Sequence, residues 1–249
     1  MFASSTNPIS HRLARIAFIF ATVGAVIVAV SGPLHRYLGV DIEAVIAVFR
    51  YGFYLTIAGV ALGLATVVPA RPGDRRRGFV AAFLAIVIGV GGGWVPVTWF
   101  LQAQRLPAIN DITTDPTNPP PLVVTAQLRR GAPNPPSYPP GNAALQRAAF
   151  PDIVPLVLPV PPDEAFRRVD RAAMSLDWDV VARAPAEGRL EAIATSEWFG
   201  FRDDIVVRIR PQGTGSRIDI RSKSRIGESD FGGNAERVRA FIARLKGDS

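Results

Sequence analysis

GFVAAFLAIVIGVGGGWVPVTWF, residues 78–100, contains no charged side chain and is long enough to cross the roughly 30 Å apolar core of a bilayer as a helix. Two further runs of the same kind precede it, at about 13–34 and 45–68. With them the first hundred residues read as three transmembrane helices. Past residue 101 the texture changes. Residues 102–161 are rich in proline, and from 162 to 249 apolar and charged residues alternate as in a soluble domain. The fold class that follows is α+β: a transmembrane region over 1–101, a proline-rich linker over 102–161, and a C-terminal domain over 162–249.

The short loops orient the spans. Arg12 and Arg15 precede the first, and Arg71, Arg75, Arg76 and Arg77 crowd the loop between the second and third, while the loop between the first two sets Arg36 against Asp41 and Glu43. Positive loops face the cytoplasm. This predicts a multi-pass protein of a bacterial inner membrane, with its N-terminus cytoplasmic and its C-terminal domain periplasmic. The first run also has features of a cleaved signal peptide, with a basic lead and small residues at 29–32, but two more spans follow it. Gly59 and Gly63, and Gly89 and Gly93, have the spacing that lets helix backbones approach closely. The expected use is packing of the three spans, with a homo-oligomer through Gly59 and Gly63 as the alternative. Trp94, Trp99 and Phe100 read as an interfacial aromatic belt.

Composition excludes several chemistries. The 249 residues include no cysteine and only two histidines, His11 and His35, both beside the first span. Thiolate sites, disulfides and histidine-rich metal centres are therefore excluded, and no cofactor is expected. The net charge of +7 comes from arginines interleaved with acids or flanking spans, so the lipid bilayer, not nucleic acid, is the expected partner.

The linker region 102–162 holds 15 of the 22 prolines and predicts a semi-rigid extended strap without helix. In the C-terminal domain, Pro162-Asp163-Glu164 starts a helix whose apolar stripe runs through Ala165, Phe166, Val169, Ala172, Ala173 and Leu176. Four antiparallel strands follow, over about 178–183, 189–199, 204–210 and 217–223, and a last helix covers about 234–245. A short strand at 156–160 is a further option. Ile205, Val207, Ile209, Ile218 and Ile220 point toward the helices. The opposite face, carrying Asp204, Arg208, Arg210, Arg217, Asp219 and Arg221, is expected to be a solvated charge ladder.

Two clusters are candidate sites. The first is Trp198-Phe199-Gly200-Phe201 leading to Asp203 and Asp204. The second holds Arg221, Ser222, Ser224 and Arg225, then Asp230 and Asn234 at the start of the last helix, with Arg208 facing the same sheet. Paired aspartates can divide acid and base roles, and arginines bind phosphate or carboxylate. Neighbouring strand residues point to opposite faces, however, and no histidine is present to activate a serine. The expected role is thus a binding or structural network: Asp230 or Asn234 caps the helix and the basic residues meet Asp203, Asp204 and Asp219.

Residues of these clusters also carry a resemblance. Asp111-Ile112-Thr113-Thr114-Asp115 with Pro119-Pro120, Gly188-Arg189-Leu190-Glu191-Ala192, Trp198 to Phe201, Asp203-Asp204, Arg221-Ser222, Ser224 to Gly227, Ser229-Asp230 and Asn234-Ala235 together resemble the domain of unknown function 1499 family over roughly 107–245. The resemblance implies N-terminal spans with a C-terminal domain, and no activity. The function expected is a non-catalytic periplasmic domain that binds a partner protein or an amphiphilic ligand. The alternatives are an envelope hydrolase using Asp203, Asp204 and nearby arginines, and a structural accessory subunit of a membrane complex.

Overall fold

The computed structural model describes residues 8–68 and 76–247, with side chains from residue 10 and, in the second segment, from residue 78. Arg71 and Arg75, on which part of the orientation rests, lie outside the described residues. The chain divides into two compact units, residues 1–101 with 198–200, and residues 102–197 with 201–249.

Three long helices make the first unit: α1 (Pro8–Leu38), α2 (Ile42–Val67) and α3 (Arg76–Arg105). Ser10–Leu38, Ile42–Val67 and Gly78–Arg105 are each apolar and long enough to cross a membrane. Asp41 opens α2 by accepting the amides of Glu43 and Ala44. Small residues are packed inside: Ala14, Ala17 and Ala21 on α1, Gly52, Thr56, Gly59 and Gly63 on α2, Ala82 and Ala85 on α3. Large ones, among them Ile19, Val26, Leu64, Phe83 and Val90, are exposed. This inverts the soluble pattern and suits helices whose outer solvent is hydrocarbon, where close backbone packing drives association. The hydroxyls of Ser31, Thr56 and Thr66 are satisfied by carbonyls one turn earlier, at Ile27, Gly52 and Leu62.

Gly59 and Gly63 are used within the chain. A Cβ at Gly59 would collide with the backbone of Ala21, and one at Gly63 would press on Ile86 and the Ala82 carbonyl. Within the chain the two glycines therefore pack on α1 and α3.

The second unit is α+β. Among the described residues, six strands form one antiparallel sheet: β1 (Asp111–Thr113), β2 (Leu156–Leu158), β3 (Asp179–Ala184), β4 (Arg189–Thr195), β5 (Arg202–Gln212) and β6 (Gly215–Ser224). Their order is β1-β6-β5-β4-β3, with β2 also pairing along β6. The four expected strands are β3 to β6. The glycine at the β5–β6 turn, Gly213, has φ 59°, and a Cβ on Gly188 before β4 would strike the Ile209 carbonyl. Helices α6 (Pro162–Ser175) and α7 (Gly233–Gly247) cover one sheet face with Val169, Ala173, Val238, Phe241 and Leu245 against Ile205, Val207, Ile218 and Ile220. Trp178 stacks on Phe241 at 5.1 Å between ring centres.

The proline-rich region departs from expectation. Instead of an extended strap without helix, 102–161 supplies β1, β2 and two short helices, α4 (Val124–Leu128) and α5 (Asn142–Ala149), to the second unit. Prolines punctuate it but leave gaps long enough for a turn of helix or three paired residues. Gln146 on α5 then holds β1 by accepting the Thr113 amide and donating to the Thr113 carbonyl.

If Gly59 is packed against α1 as described, Gly59→Val should destabilise the detergent-solubilised protein by about 1–3 kcal/mol, read as a lower Tm. Gly91→Ala, where nothing lies within 4 Å, should leave Tm nearly unchanged.

Candidate functional site

Strand alternation places Asp204, Arg208 and Arg210 of β5 opposite Lys223, Asp219 and Arg217 of β6, on the face away from α6 and α7. Most of this face is covered, and only Arg208, Arg210 and Arg217 at one end keep side chains partly exposed. Asp204 and Asp219 are fully buried, Lys223 is 1% exposed and Arg221 3%. The reason is the proline-rich region, whose residues hydrogen-bond across it. Proline lacks an N–H, so a proline-rich extended chain carries more carbonyl acceptors than donors, and the arginines and lysine supply the missing donors.

Asp111 is the anchor. Its register in β1, opposite Lys223, puts its carboxylate between two cations. Arg221 donates a fork to it, Nε to Oδ1 at 2.9 Å and Nη2 to Oδ2 at 2.8 Å, and Lys223 Nζ donates to Oδ2 at 2.9 Å. The remaining protons of these cations go to carbonyls of the covering chain: Arg221 to Pro120 and Pro136, Lys223 to Ser137. Burial lowers the Lys223 pKa despite Asp111 beside it.

Asp204 forms a second centre. Arg225 donates to it at 2.7 and 3.1 Å, and Arg129 Nη1 lies 3.1 Å away while Arg129 Nη2 donates to the Ser224 carbonyl. Burial raises the Asp204 pKa against the pull of both arginines. Farther along the face Asp115 and Asp219 share Arg208, Arg210 and Arg217. Glu191 of β4 acts as a helix cap from a distance, accepting the amides of Val123, Val124 and Thr125 and the Thr125 hydroxyl, with Arg189 also paired to it. Burial pushes the Glu191 pKa up, but those donors outweigh it and the net shift is downward.

Asp203 turns to the other face, where Arg237 of α7 donates to it at 2.7 Å. Ser222 and Ser224 are there too: Ser222 Oγ donates to Asn234 Oδ1 and Asn234 Nδ2 donates to Ser224 Oγ. Asp230 caps α7 by accepting the amides of Gly232 and Asn234, and burial nonetheless raises its pKa. The arginines and serines of the second cluster thus divide between two faces of one strand.

The first cluster also divides. Trp198, Phe199 and Gly200 belong to the helical unit, where the two rings lie 5.2 to 6.0 Å from each other and from Phe49 and Trp99, and Trp198 Nε1 donates to the Ala29 carbonyl. Phe201 closes the β4–β5 turn through its amide to Ser196 Oγ. Asp203 and Asp204 cannot converge on one substrate. Sequence reasoning did not assign roles to Asp111, Asp115, Arg129, Glu191 and Arg237, because each finds its partner far along the chain. Asp111, Asp115 and Glu191 stood only among the motif residues that carry the family resemblance.

An apolar groove of about 430 Å3 lies in the helical unit between α2 and α3, lined by Phe53, Val60, Leu64, Gly89, Gly93 and Trp94 among others.

A family described as "Protein of unknown function (DUF1499)" matches residues 111–245. The crystal structure of TTHA0849 from Thermus thermophilus aligns with 39% of this chain and 97% of its own at 18% identity and a TM-score of 0.23. No curated protein matches the chain.

Asp111→Asn leaves Arg221 and Lys223 buried without their carboxylate and should cost about 3–5 kcal/mol in thermal unfolding. Asp152→Asn, which breaks the exposed pair with Arg239, should cost under about 1 kcal/mol. Glu191 gives a pH signature. Its folded pKa is below the unfolded value of about 4.3, so its contribution is complete above that value and is lost as pH falls through the lower folded pKa. Asp204 and Asp230, with raised pKa values, act oppositely: their contribution is present below about 3.9 and lost as pH rises through their folded values. Glu191→Gln should lower Tm at neutral pH and flatten its decline between about pH 5 and 3.

Proposed function

The chain belongs to the DUF1499 family, and we propose that it is an integral protein of the bacterial inner membrane whose periplasmic domain binds a partner protein or an amphiphilic ligand without catalysing a reaction. The observation that carries this reading is the pairing of the acids. Asp203 and Asp204 face opposite sides of the sheet and each is held by arginine, as are Asp111 and Asp219. A carboxylate fixed in a buried ion pair is a poor proton shuttle, whereas an arginine-rich face is suited to binding. The three apolar helices support membrane insertion, and Arg12 and Arg15 at the start of α1 support a cytoplasmic N-terminus.

A second reading, an accessory subunit docked on a larger membrane complex, draws on the apolar groove between α2 and α3, whose lining residues Leu64, Val90 and Trp94 are exposed.

Mass spectrometry of the protein gently extracted from its own membrane separates the two. Retained lipid with no companion protein supports the ligand-binding domain, and a stoichiometric protein partner supports the accessory subunit. A chain that carries neither contradicts both. Orientation is checked in the cysteine-free background with single cysteines at positions 76 and 249: the proposal predicts that a membrane-impermeant maleimide labels 249 and not 76, and the reverse pattern overturns it.

A further inference from the structure

The group around Asp111 and Asp204 carries more positive charge than its carboxylates balance. Those two acids face Arg129, Arg221, Lys223 and Arg225, all buried, which leaves an excess of two positive charges. Among the described residues no neighbouring acid is spare. Asp115 and Asp219 serve three other arginines, Glu191 is taken by Arg189 and α4, and Asp203 faces the far side of the sheet. Buried charge without a counter-charge is expensive.

In the same group three polar atoms lack a hydrogen-bond partner: Arg129 Nε and Nη1, on a side chain 2% exposed whose Nη1 keeps only its ion pair with Asp204, and the hydroxyl of Tyr138. The ring of Tyr138 lies under the Arg221 guanidinium, 5.6 Å from Cζ to ring centre. Two exposed residues of the covering loop, Pro136 and Ser137, place their carbonyls on Arg221 and Lys223 and are the acceptors an incoming oxyanion replaces. Guanidinium forks, an ammonium and a phenol are the donors that recognise phosphate oxygens, and a dianionic phosphate matches the excess of two.

We propose that Arg129, Tyr138, Arg221, Lys223 and Arg225 form a phosphate-binding site, filled by a phosphate group that is either free or borne on a lipid headgroup. The proposal deepens the ligand-binding reading and rests on it only for the lipid source.

The test uses the full chain in a neutral maltoside detergent and phosphate-free buffer. Inorganic phosphate at constant ionic strength should raise Tm saturably by a few degrees, and chloride should not. Arg129→Gln should weaken the response at least about tenfold. Tyr138→Phe, which removes a hydroxyl that has no protein partner, should keep the fold and weaken the response too. Dihexanoyl phosphatidic acid is then compared with inorganic phosphate. Binding at least about tenfold tighter assigns a lipid headgroup, and equal binding assigns a free phosphate compound. A wild-type protein with no saturable phosphate response, or an unchanged response in Tyr138→Phe together with any folded Arg129→Gln, overturns the site. Phosphate binding with neither lipid nor partner retained on extraction keeps the site and sinks the amphiphile reading. Lipid retained by a protein deaf to phosphate does the reverse.

Discussion

Asp111 with Arg221 and Lys223 is the interaction on which the second unit depends. It ties β1 to β6, and with β1 it brings the proline-rich region down over a sheet face that would otherwise stand in water. Once that cover is in place, the cations beneath it have no water to donate to. They are satisfied by the carboxylates of Asp111 and Asp204 and by backbone carbonyls, among them those of Pro120, Pro136, Ser137 and Leu128. Buried ion pairs of this kind contribute little net stability relative to an apolar core, but breaking one is costly. The network therefore specifies where the covering chain lies more than it strengthens the domain.

The two units solve opposite solvent problems with one chain. In the helical unit alanine and glycine pack inside and large apolar side chains face outward, whereas in the α+β unit Phe241, Leu190, Ile205 and Ile220 are inside. The second unit has in effect two cores, an apolar one between the sheet and α6 and α7, and a charged one between the sheet and the proline-rich cover. A functional reading belongs to the charged one, because an apolar core serves packing alone while arginines held beneath a loop can exchange one acceptor for another.

The strands, the last two helices and the three long apolar helices were legible because each has a pattern: a period of two for β5 and β6, about 3.6 for α6 and α7, and unbroken apolarity for α1 to α3. Alternation also placed Asp203 and Asp204 on opposite faces. It could not say what covers a face, so Asp204, Asp219 and Arg221 read as a wet ladder when they are buried. Composition misled in the same region. Proline density implied an extended strap, yet Val124–Leu128 and Asn142–Ala149 form helices between the prolines. Arg129 was not singled out, and Glu191, quoted only within a motif, received no role, because their partners, Asp204 and the α4 amides, are brought near only by the tertiary fold. Trp198 and Phe199, expected beside the acids, instead pack with Phe49 and Trp99.

The central claim is that residues 107–150 are an ordered wall of the domain and not a tether. Amide hydrogen exchange on the full chain tests it most directly. The account predicts slow exchange at Thr113, Thr114 and Val123 to Thr125, whose amides are held by Gln146, Ile220 and Glu191, comparable with the central strands. Exchange at those amides as fast as in an unstructured peptide, with β5 and β6 still protected, would contradict it.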